Sequence, residues 1–162
     1  MRKYGFVLFA IGMALLANAT MATDLMSSSE LGPEPAGVLH RQNATVYQAG
    51  YGNDSSIIQS GIDNNAQIMQ LGSANAANAR QMGAGHEARI VQSGAQLEAS
   101  ILQKGYGHDA EIVQAGYGKE ATINQHGVHG SAEIHQLGSQ RTSPITITQF
   151  SRGQAAVHIY RY

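Results

Sequence analysis

Glutamine side chains recur at a fixed interval of eleven residues through most of this 162-residue chain. A glutamine carries a carbonyl acceptor and an amide donor, so glutamines stacked in register can hydrogen-bond to each other in a continuous column. A buried amide without a partner costs about 1–3 kcal/mol, so such a column is satisfied inside and unsatisfied at its two ends. We therefore predict a self-assembly ladder rather than glutamines that face solvent. Its members are Gln48, Gln59, Gln70, Gln81, Gln92, Gln103, Gln114, Gln125, Gln136 and Gln149.

Aliphatic residues and glycines keep the same spacing and indicate what surrounds the glutamines. A residue two positions before a glutamine points to the same side of a strand and should share its core. A glycine two positions after it tolerates the positive φ of a sharp turn. The predicted core is Val46, Ile57, Ile68, Ile90, Ile101, Ile112, Ile123 and Ile134, with Ala79 in the equivalent place. The predicted turn glycines are Gly50, Gly61, Gly72, Gly83, Gly94, Gly105, Gly116, Gly127 and Gly138.

The repeated unit predicts the element that positions these side chains. It reads Ala-x-Ile-x-Gln-x-Gly-x-x-(Asn/His)-x, an alternating strand followed by a turn. An eleven-residue helical repeat is the alternative, but a glycine-rich stretch in every unit disfavours it. If each turn reverses the chain, alternate strands stack and one coil contains two units, or 22 residues. The prediction is an all-β, amyloid-like two-sided β-solenoid of stacked strand–turn–strand coils.

Other reactive side chains give weak signals. His86 and His108 would stack in the same turn position one coil apart, and His126 and His129 share another turn. We expect turn histidines that replace asparagine to be hydrated or gatekeeping residues, so no metal site and no cofactor are predicted. The absence of cysteine excludes disulfides and thiolate chemistry, and a net charge of −1 argues against a nucleic-acid partner.

Acidic side chains offer little for catalysis. Glu111 and Glu133 would be neighbours on an outer face, as carboxylates are in some β-helix enzymes. No nucleophile, general base or long substrate loop accompanies them, so no catalytic residue and no enzymatic activity are predicted. Arg89 precedes Glu111 in the same column, where a surface ion pair would contribute little to stability.

The chain divides into three parts. Residues 1–22 are typical of a signal peptide, with Arg2 and Lys3 before a short apolar run and cleavage expected after Ala19 or Ala22. The run is too short for a membrane anchor, and export through the general secretory pathway is expected. Residues 23–42 form a predicted flexible N-terminal leader, and residues 43–162 form the repeat domain, with divergent C-terminal strands over 143–162.

The C-terminal strands depart from the repeat. Gln149 follows the previous glutamine after thirteen residues, Ser151 replaces a turn glycine, and Arg161 stands where a glutamine is expected. Counting these strands gives eleven in about five and a half coils, a rod about 25 Å long. This end can be an ordinary cap or a basic surface that docks to another protein, and the two interpretations are compatible. The residues predicted for surface anchoring are Arg141, Arg152 and Arg161.

The repeat resembles that of the curlin family, the secreted subunits of bacterial curli fibres. The matching pattern is Ala/Ser-x-Ile-x-Gln-x-Gly-x-x-Asn-x-Ala, as in the stretches Asn53 to Gln59 and Gln59 to Gln70. The resemblance covers residues 43–162 together with the signal peptide and leader. The chain is most similar to the minor subunit, or nucleator, because its C-terminal tail is basic and its Asn position has diverged. The diverged positions are His86, Leu97, His108, Lys119, Gly130 and Arg141.

The resemblance implies a function and a setting. It implies a structural subunit of an extracellular cell-surface fibre (fimbrium) of a Gram-negative bacterium, held at the surface, where it templates polymerisation of the homologous major subunit. Self-association, biofilm formation, adhesion, and outer-membrane secretion and assembly accessory proteins as partners are implied in the same way. The alternatives are a major fibre subunit, or a monomeric ligand-binding β-solenoid with flat rows of threonine or aromatic side chains. Such rows are not evident in the sequence.

Overall fold

The computed structural model describes residues 41–162, all of which lie in strands, turns or short connections. The predicted signal peptide and all but the last two residues of the predicted leader lie outside this range. No helix in the described range is long and apolar enough to cross a membrane. The strands are β1 (Gln42–Tyr51), β2 (Asp54–Ile62), β3 (Asn64–Ser73), β4 (Ala76–Ala84), β5 (Glu87–Ala95), β6 (Glu98–Tyr106), β7 (Asp109–Tyr117), β8 (Glu120–Gln136) and β9 (Ile145–Arg161).

The strands form two parallel stacks, which confirms the predicted two-sided solenoid. Sheet A contains β1, β3, β5, β7, residues 131–136 of β8 and residues 155–161 of β9. Sheet B contains β2, β4, β6, residues 120–128 of β8 and residues 145–152 of β9. Residues 22 apart pair in register from β1 to β8, as Gln70 does with Gln92. β8 and β9 each continue through a turn and so contribute a strand to both sheets.

The core is a thin layer of alanine and isoleucine between the two sheets. Along each strand the buried positions alternate with outward ones, because successive side chains point to opposite faces. Each buried isoleucine contributes roughly 1.5–3 kcal/mol, and stacked coils are needed before the sum exceeds the entropy of the chain. The buried apolar cluster is Ala66, Ile68, Ala77, Ala79, Ala88, Ile90, Ala99, Ile101, Ala110, Ile112, Ala121, Ile123, Ala132, Ile134, Ile145 and Ile147, with Ile57 and Ile159 packed against it.

The turn after each ladder glutamine that has a further coil beside it, from Gln48 to Gln125, requires a residue without a side chain. Gly105 has φ of +130°, and a Cβ built on it would lie 1.9 Å from the carbonyl oxygen of Gly127 in the next coil. A spacing of one strand leaves no room for that atom, and an L residue is strained at this φ as well. The position therefore needs glycine for both conformation and close approach.

The first coil differs from the predicted core at one position. Val46 is 47% exposed, although the sequence pattern places it in the core. Its side chain points inward, but β1 is the first strand of sheet A and no preceding coil covers it. Ile57 in β2 is half-buried for the same reason. The prediction of a buried Val46 is therefore wrong for the isolated chain.

The last coil keeps the two-sheet geometry despite its irregular spacing. Gln149 pairs with Gln125, and the register then shifts by one residue between Val128 and Gly130. After this irregularity Arg161 pairs with Gln136, at the place of a ladder glutamine. The extra residues are thus absorbed in the turns, and the described range contains eleven strand segments, six in sheet A and five in sheet B.

Candidate functional site: amide columns and open coil edges

The ladder glutamines form two hydrogen-bonded columns, one under each sheet. In sheet A the Nε2 of each glutamine donates to the Oε1 of the next, with distances of 2.6, 2.9, 3.0 and 2.9 Å from Gln48 to Gln136. In sheet B the corresponding distances from Gln59 to Gln149 are 2.9, 2.9, 3.1 and 3.0 Å. Every amide donates toward the C-terminal coil. The columns are therefore polar, with acceptors directed to one end and donors to the other.

A second bond from each amide joins the two sheets. The Nε2 of Gln81 in sheet B donates to the backbone oxygen of Asn65 at 2.8 Å, and that of Gln70 in sheet A donates to Asp54 at 2.9 Å. In both cases the acceptor is sixteen residues earlier in the chain. Both amide protons of an interior glutamine are thus used, which makes a fully buried amide compatible with the apolar core.

Asparagines in the turns form further columns. Asn75 donates from Nδ2 to the backbone oxygens of Leu71 and Gly94 at 3.4 and 3.1 Å. Its Oδ1 accepts from the backbone N–H of Leu97 at 3.1 Å, one coil later. One side chain therefore bonds within its own turn and to the next turn. Gln42 makes the bond to Gly61 that asparagine makes in later coils, so this residue of the predicted leader joins the first coil.

Two histidines take the place of asparagine in this network. His86 contacts the Met82 carbonyl through Nε2 at 3.2 Å, and its Nδ1 accepts from the backbone N–H of His108 at 3.2 Å. His108 repeats this with the Lys104 carbonyl and with the Gly130 N–H at 3.0 Å. These partners require the neutral tautomer with its proton on Nε2. The two rings are stacked with centroids 5.2 Å apart.

The expectation that turn histidines are hydrated is wrong for His86 and His108, which are each 1% exposed. Neutral histidine offers one donor and one acceptor at a reach similar to that of asparagine, so it can occupy the same place in the network. Among the described residues, no group of three or more His, Asp or Glu is arranged to hold a metal ion.

Acidification should destabilise this part of the solenoid. Burial lowers the pKa of His86 below 6.5, and the nearby His108 lowers it further; burial likewise lowers the pKa of His108, with His126 adding to the effect. Below pH 6.5 the folded chain therefore binds fewer protons than the unfolded chain. The stabilisation that the neutral histidines provide is fully present above pH 6.5 and is lost as the pH falls below it. We expect the unfolding temperature to drop by several degrees between pH 7.5 and pH 5.

The matched control is the double variant His86→Asn and His108→Asn, which keeps the hydrogen bonds without a titrating ring. Burial raises the pKa of Asp109, and Glu87 and Glu133 add to the shift, so that carboxyl acts in the opposite direction at lower pH in both proteins. The difference between the two thermal profiles isolates the histidines. Equal pH dependence of the two proteins would contradict this assignment.

The other diverged turn residues are mostly buried as well. Leu97 and Lys119 are each 1% exposed, and the Nζ of Lys119 donates to the Gln140 carbonyl at 2.6 Å. A buried ammonium needs such a partner because it has left water. Arg141, next in this column, is exposed and lies over Gly118. The sequence contained no signal that Lys119 would be buried, apart from its place in the asparagine column.

The carboxylates on the outer face of sheet A are paired rather than arranged for catalysis. Arg89 and Glu111 form the predicted surface ion pair at 3.0 Å. The Glu133 carboxylate lies 2.6 Å from His135 Nε2 and 2.8 Å from His158 Nδ1, and it accepts from the Tyr160 hydroxyl at 3.1 Å. These contacts tie the last strand of sheet A to the preceding coil. Glu111 and Glu133 thus have structural partners.

The N-terminal edge of the solenoid is open in both sheets. Ala44, Val46 and Gln48 point inward but are exposed, because β1 has no earlier strand beside it. Among residues 41–162, no donor reaches the Oε1 of Gln48 or of Gln59, whereas the Oε1 of every later ladder glutamine accepts an amide. This edge therefore presents unused acceptors beside uncovered apolar side chains.

The C-terminal edge presents donors. The Nε2 of Gln149 donates to the Ala155 carbonyl at 2.8 Å, which leaves its second proton without a ladder partner in the described chain. Arg161 pairs with Gln136 and donates from Nη1 to the Ser143 carbonyl at 3.0 Å. A guanidinium has five donors and no acceptor. The edge also exposes Val157, which is 38% accessible.

A family model matches two stretches of the chain. The family model described as curlin associated repeat matches residues 43–72 and 87–116. These two stretches are similar to the curlin associated repeat. Each matched stretch begins in a strand of sheet A and continues into sheet B, so a curlin repeat corresponds to one coil and part of the next. The match supports the curlin family, equally for a major and a minor subunit. Comparisons with curated proteins and with solved structures give no significant match.

The similarity to the curlin repeat suggests a structural subunit of an extracellular fibre. The structure is consistent with this because its distinctive chemistry lies in the stacked amides and in the two open edges. In the described chain the amide columns run through every coil from β1 to β9, apart from Arg161.

Proposed function

We propose that the chain is a curli fibre subunit that acts as a surface-held nucleator, whose open coil edge templates the polymerisation of a homologous, more abundant major subunit. The observation that supports this most strongly is the pair of incomplete edges. Unpaired backbone groups, half-exposed inward side chains and unfinished amide columns occur together at each edge, and such an edge is a template for another strand.

An incoming chain with the same repeat would complete each of these features at once. Its glutamines would extend the two columns, and its isoleucines would cover Val46 or Val157. Covering one aliphatic side chain contributes about 1–2 kcal/mol, and pairing each ladder amide adds about 1 kcal/mol. A partner with the same eleven-residue spacing gains both the apolar contacts and the amide hydrogen bonds, whereas an unrelated strand gains few of them.

Surface attachment is the second half of the proposal. Arg141 and Arg152 are exposed near the C-terminal edge and are available to an acidic surface or an assembly accessory protein. Arg161 is half-buried and takes the place of a ladder residue. We assign the anchoring role to the exposed pair, and to Arg161 a role at the end of the amide column. Secretion, adhesion and a contribution to biofilm belong to the same proposal.

Seeding tests the nucleator role. Sub-stoichiometric amounts of the purified chain should shorten the lag of thioflavin-T fluorescence when added to the major subunit. Val46→Lys should remove templating at the N-terminal edge, because a charge tolerated on a half-exposed side chain becomes buried when a coil is added. Val157→Lys makes the same change at the C-terminal edge. Together the two variants identify the active edge.

The matched control for Val46→Lys is Tyr47→Lys, since Tyr47 is outward-facing and 56% exposed in the same strand. It should seed like the unchanged chain. If the unchanged chain leaves the lag unaltered, the nucleator role is refuted. Abundant long fibres from the chain alone would favour a major subunit, and a stable monomer under sedimentation would favour a ligand-binding solenoid.

A further inference from the structure

The number of strands determines how a second copy can stack on the first. The structural unit is one eleven-residue strand and turn, because sheet A and sheet B make the same contacts at the same sequence separations. Amide-to-amide bonds span 22 residues and amide-to-backbone bonds span 16 residues in both sheets, as at Gln70 and Gln81. Each strand is therefore related to the next by a half-turn about the long axis and an advance of half a coil.

An odd number of such units makes the two sheets unequal. The first strand, β1, and the last strand, residues 155–161, both belong to sheet A, which has six strands against five in sheet B. Because successive strands advance by half a coil, sheet A extends beyond sheet B by half a strand spacing at both ends. Each edge therefore has the shape of a step. The terminal strand of sheet A projects and is called the raised strand, and the terminal strand of sheet B lies behind it and is called the recessed strand.

We propose that successive copies of this chain stack head to tail with a half-turn between them, so that sheet A of one copy continues sheet B of the next. This inference rests on the proposed function as a fibre subunit. The raised strand β1 of one copy then fits beside the recessed residues 145–152 of the other. Strand β2 fits beside residues 155–161, and both sheets continue without a missing strand.

Stacking without the half-turn leaves a vacancy. The raised ends of sheet A would meet first, and the ends of sheet B would remain separated by one empty strand position. An empty position forfeits a full row of backbone hydrogen bonds on two strands, and unpaired buried backbone groups are rare in proteins. The steps at the two edges therefore select the rotated arrangement.

The side chains at the junction agree with it. In the rotated arrangement Gln149 faces Gln48, and Arg161 faces Gln59. The two edges then supply a donor for each unused Oε1, since Gln149 has a free amide proton and Arg161 has guanidinium N–H groups. Without rotation Arg161 would face Gln48, and neither Gln149 nor Gln59 would gain a ladder partner.

Cysteine cross-linking distinguishes the two arrangements, because the chain has no cysteine of its own. Outward positions three residues before each ladder position serve as markers. Rotated stacking places Thr45 beside Thr146 and Ser56 beside His158, whereas unrotated stacking places Thr45 beside His158. Directly paired Cα atoms in neighbouring strands lie about 5 Å apart, within reach of a short bismaleimide.

The experiment mixes single-cysteine variants in pairs, assembles them, and measures cross-linked peptides by mass spectrometry. The inference predicts that T45C with T146C, and S56C with H158C, give at least a fivefold higher yield than T45C with H158C. The cross-link between S56C and H158C is also a control, because it shows that a cysteine at position 158 can react and that a low yield for T45C with H158C is due to distance. A yield that is highest for T45C with H158C overturns the half-turn while leaving fibre assembly intact.

Failure of the proposed function has a different signature. If none of the mixtures assembles and none cross-links, the half-turn stacking of copies fails, whereas the nucleator role fails only if the unchanged chain does not shorten the lag in the seeding experiment. Fibres without any of the three cross-links overturn the half-turn alone. Electron cryomicroscopy gives a second readout. Rotated stacking advances five and a half strand spacings per copy, which predicts a rise of about 26 Å with a rotation near half a turn. Unrotated stacking advances six strand spacings, which predicts a rise of about 29 Å without rotation.

Discussion

Gly105→Ala should prevent the solenoid from folding or destabilise it by more than about 3 kcal/mol. The new Cβ would lie 1.9 Å from the Gly127 carbonyl oxygen, and the residue would keep a φ of +130° that alanine rarely adopts. Neither atom can move away, because the Cβ is bonded directly to one backbone, the oxygen belongs to the other, and the two backbones are held at the spacing between strands. Urea unfolding followed by far-ultraviolet circular dichroism measures the loss.

Gly153→Ala is the matched control for this substitution. Gly153 lies in the turn of the last coil, and no atom comes within 4 Å of a Cβ built on it. The same chemical change should therefore alter the free energy of unfolding by less than about 0.5 kcal/mol. Similar losses for the two variants would show that the close approach of the coils is not what the turn glycines provide.

Gln103→Leu should lower the free energy of unfolding by about 2–6 kcal/mol. Gln103 is fully buried, accepts from Gln81 at 2.9 Å, and donates to Gln125 at 3.1 Å and to the Glu87 carbonyl at 2.7 Å. Leucine has a similar size but leaves an amide proton of Gln81 and the Oε1 of Gln125 without partners in the core, and it also removes the bond to the carbonyl oxygen of the exposed residue Glu87. Each unsatisfied group costs about 1–3 kcal/mol.

Gln67→Leu makes the same change on an outer face and is its control. Gln67 is exposed in β3 and faces away from the amide column. Its replacement should leave the unfolding midpoint in urea nearly unchanged. If Gln103→Leu were as mild as Gln67→Leu, the columns would contribute little to stability and the glutamines would need another explanation.

The coil geometry could be predicted because one spacing controls it. Glutamine, isoleucine and glycine share the eleven-residue period, and alternation along the strand places Ile101 and Gln103 on one side. Two such units per coil give the 22-residue register that the strands adopt. No tertiary detail was needed, since every interior coil has the same neighbours.

The turns were harder to predict because burial there depends on the adjacent coil. His86 and His108 are polar residues in a glycine-rich segment, a pattern that usually indicates a solvated loop. Their burial follows from the asparagine column, which becomes visible only when successive turns are stacked. Lys119 is buried for the same reason, with the Gln140 carbonyl as its partner.

The ends were the least predictable part. Val46 follows the core pattern yet is half-exposed, because exposure at an edge depends on a strand that is not part of the chain. The register shift in β9 could not be located from spacing alone, since extra residues can be placed in any nearby turn. Gln42 joins the first coil although the repeat pattern starts one residue later.

Side-chain amide hydrogen exchange in the assembled chain shows whether the two glutamine columns continue from one copy into the next, as the proposed stacking requires. Nuclear magnetic resonance of the assembled chain should then show Gln48 and Gln59 as strongly protected as the interior Gln92, with the exposed Gln154 exchanging rapidly. Rapid exchange at Gln48 and Gln59 after assembly would contradict it.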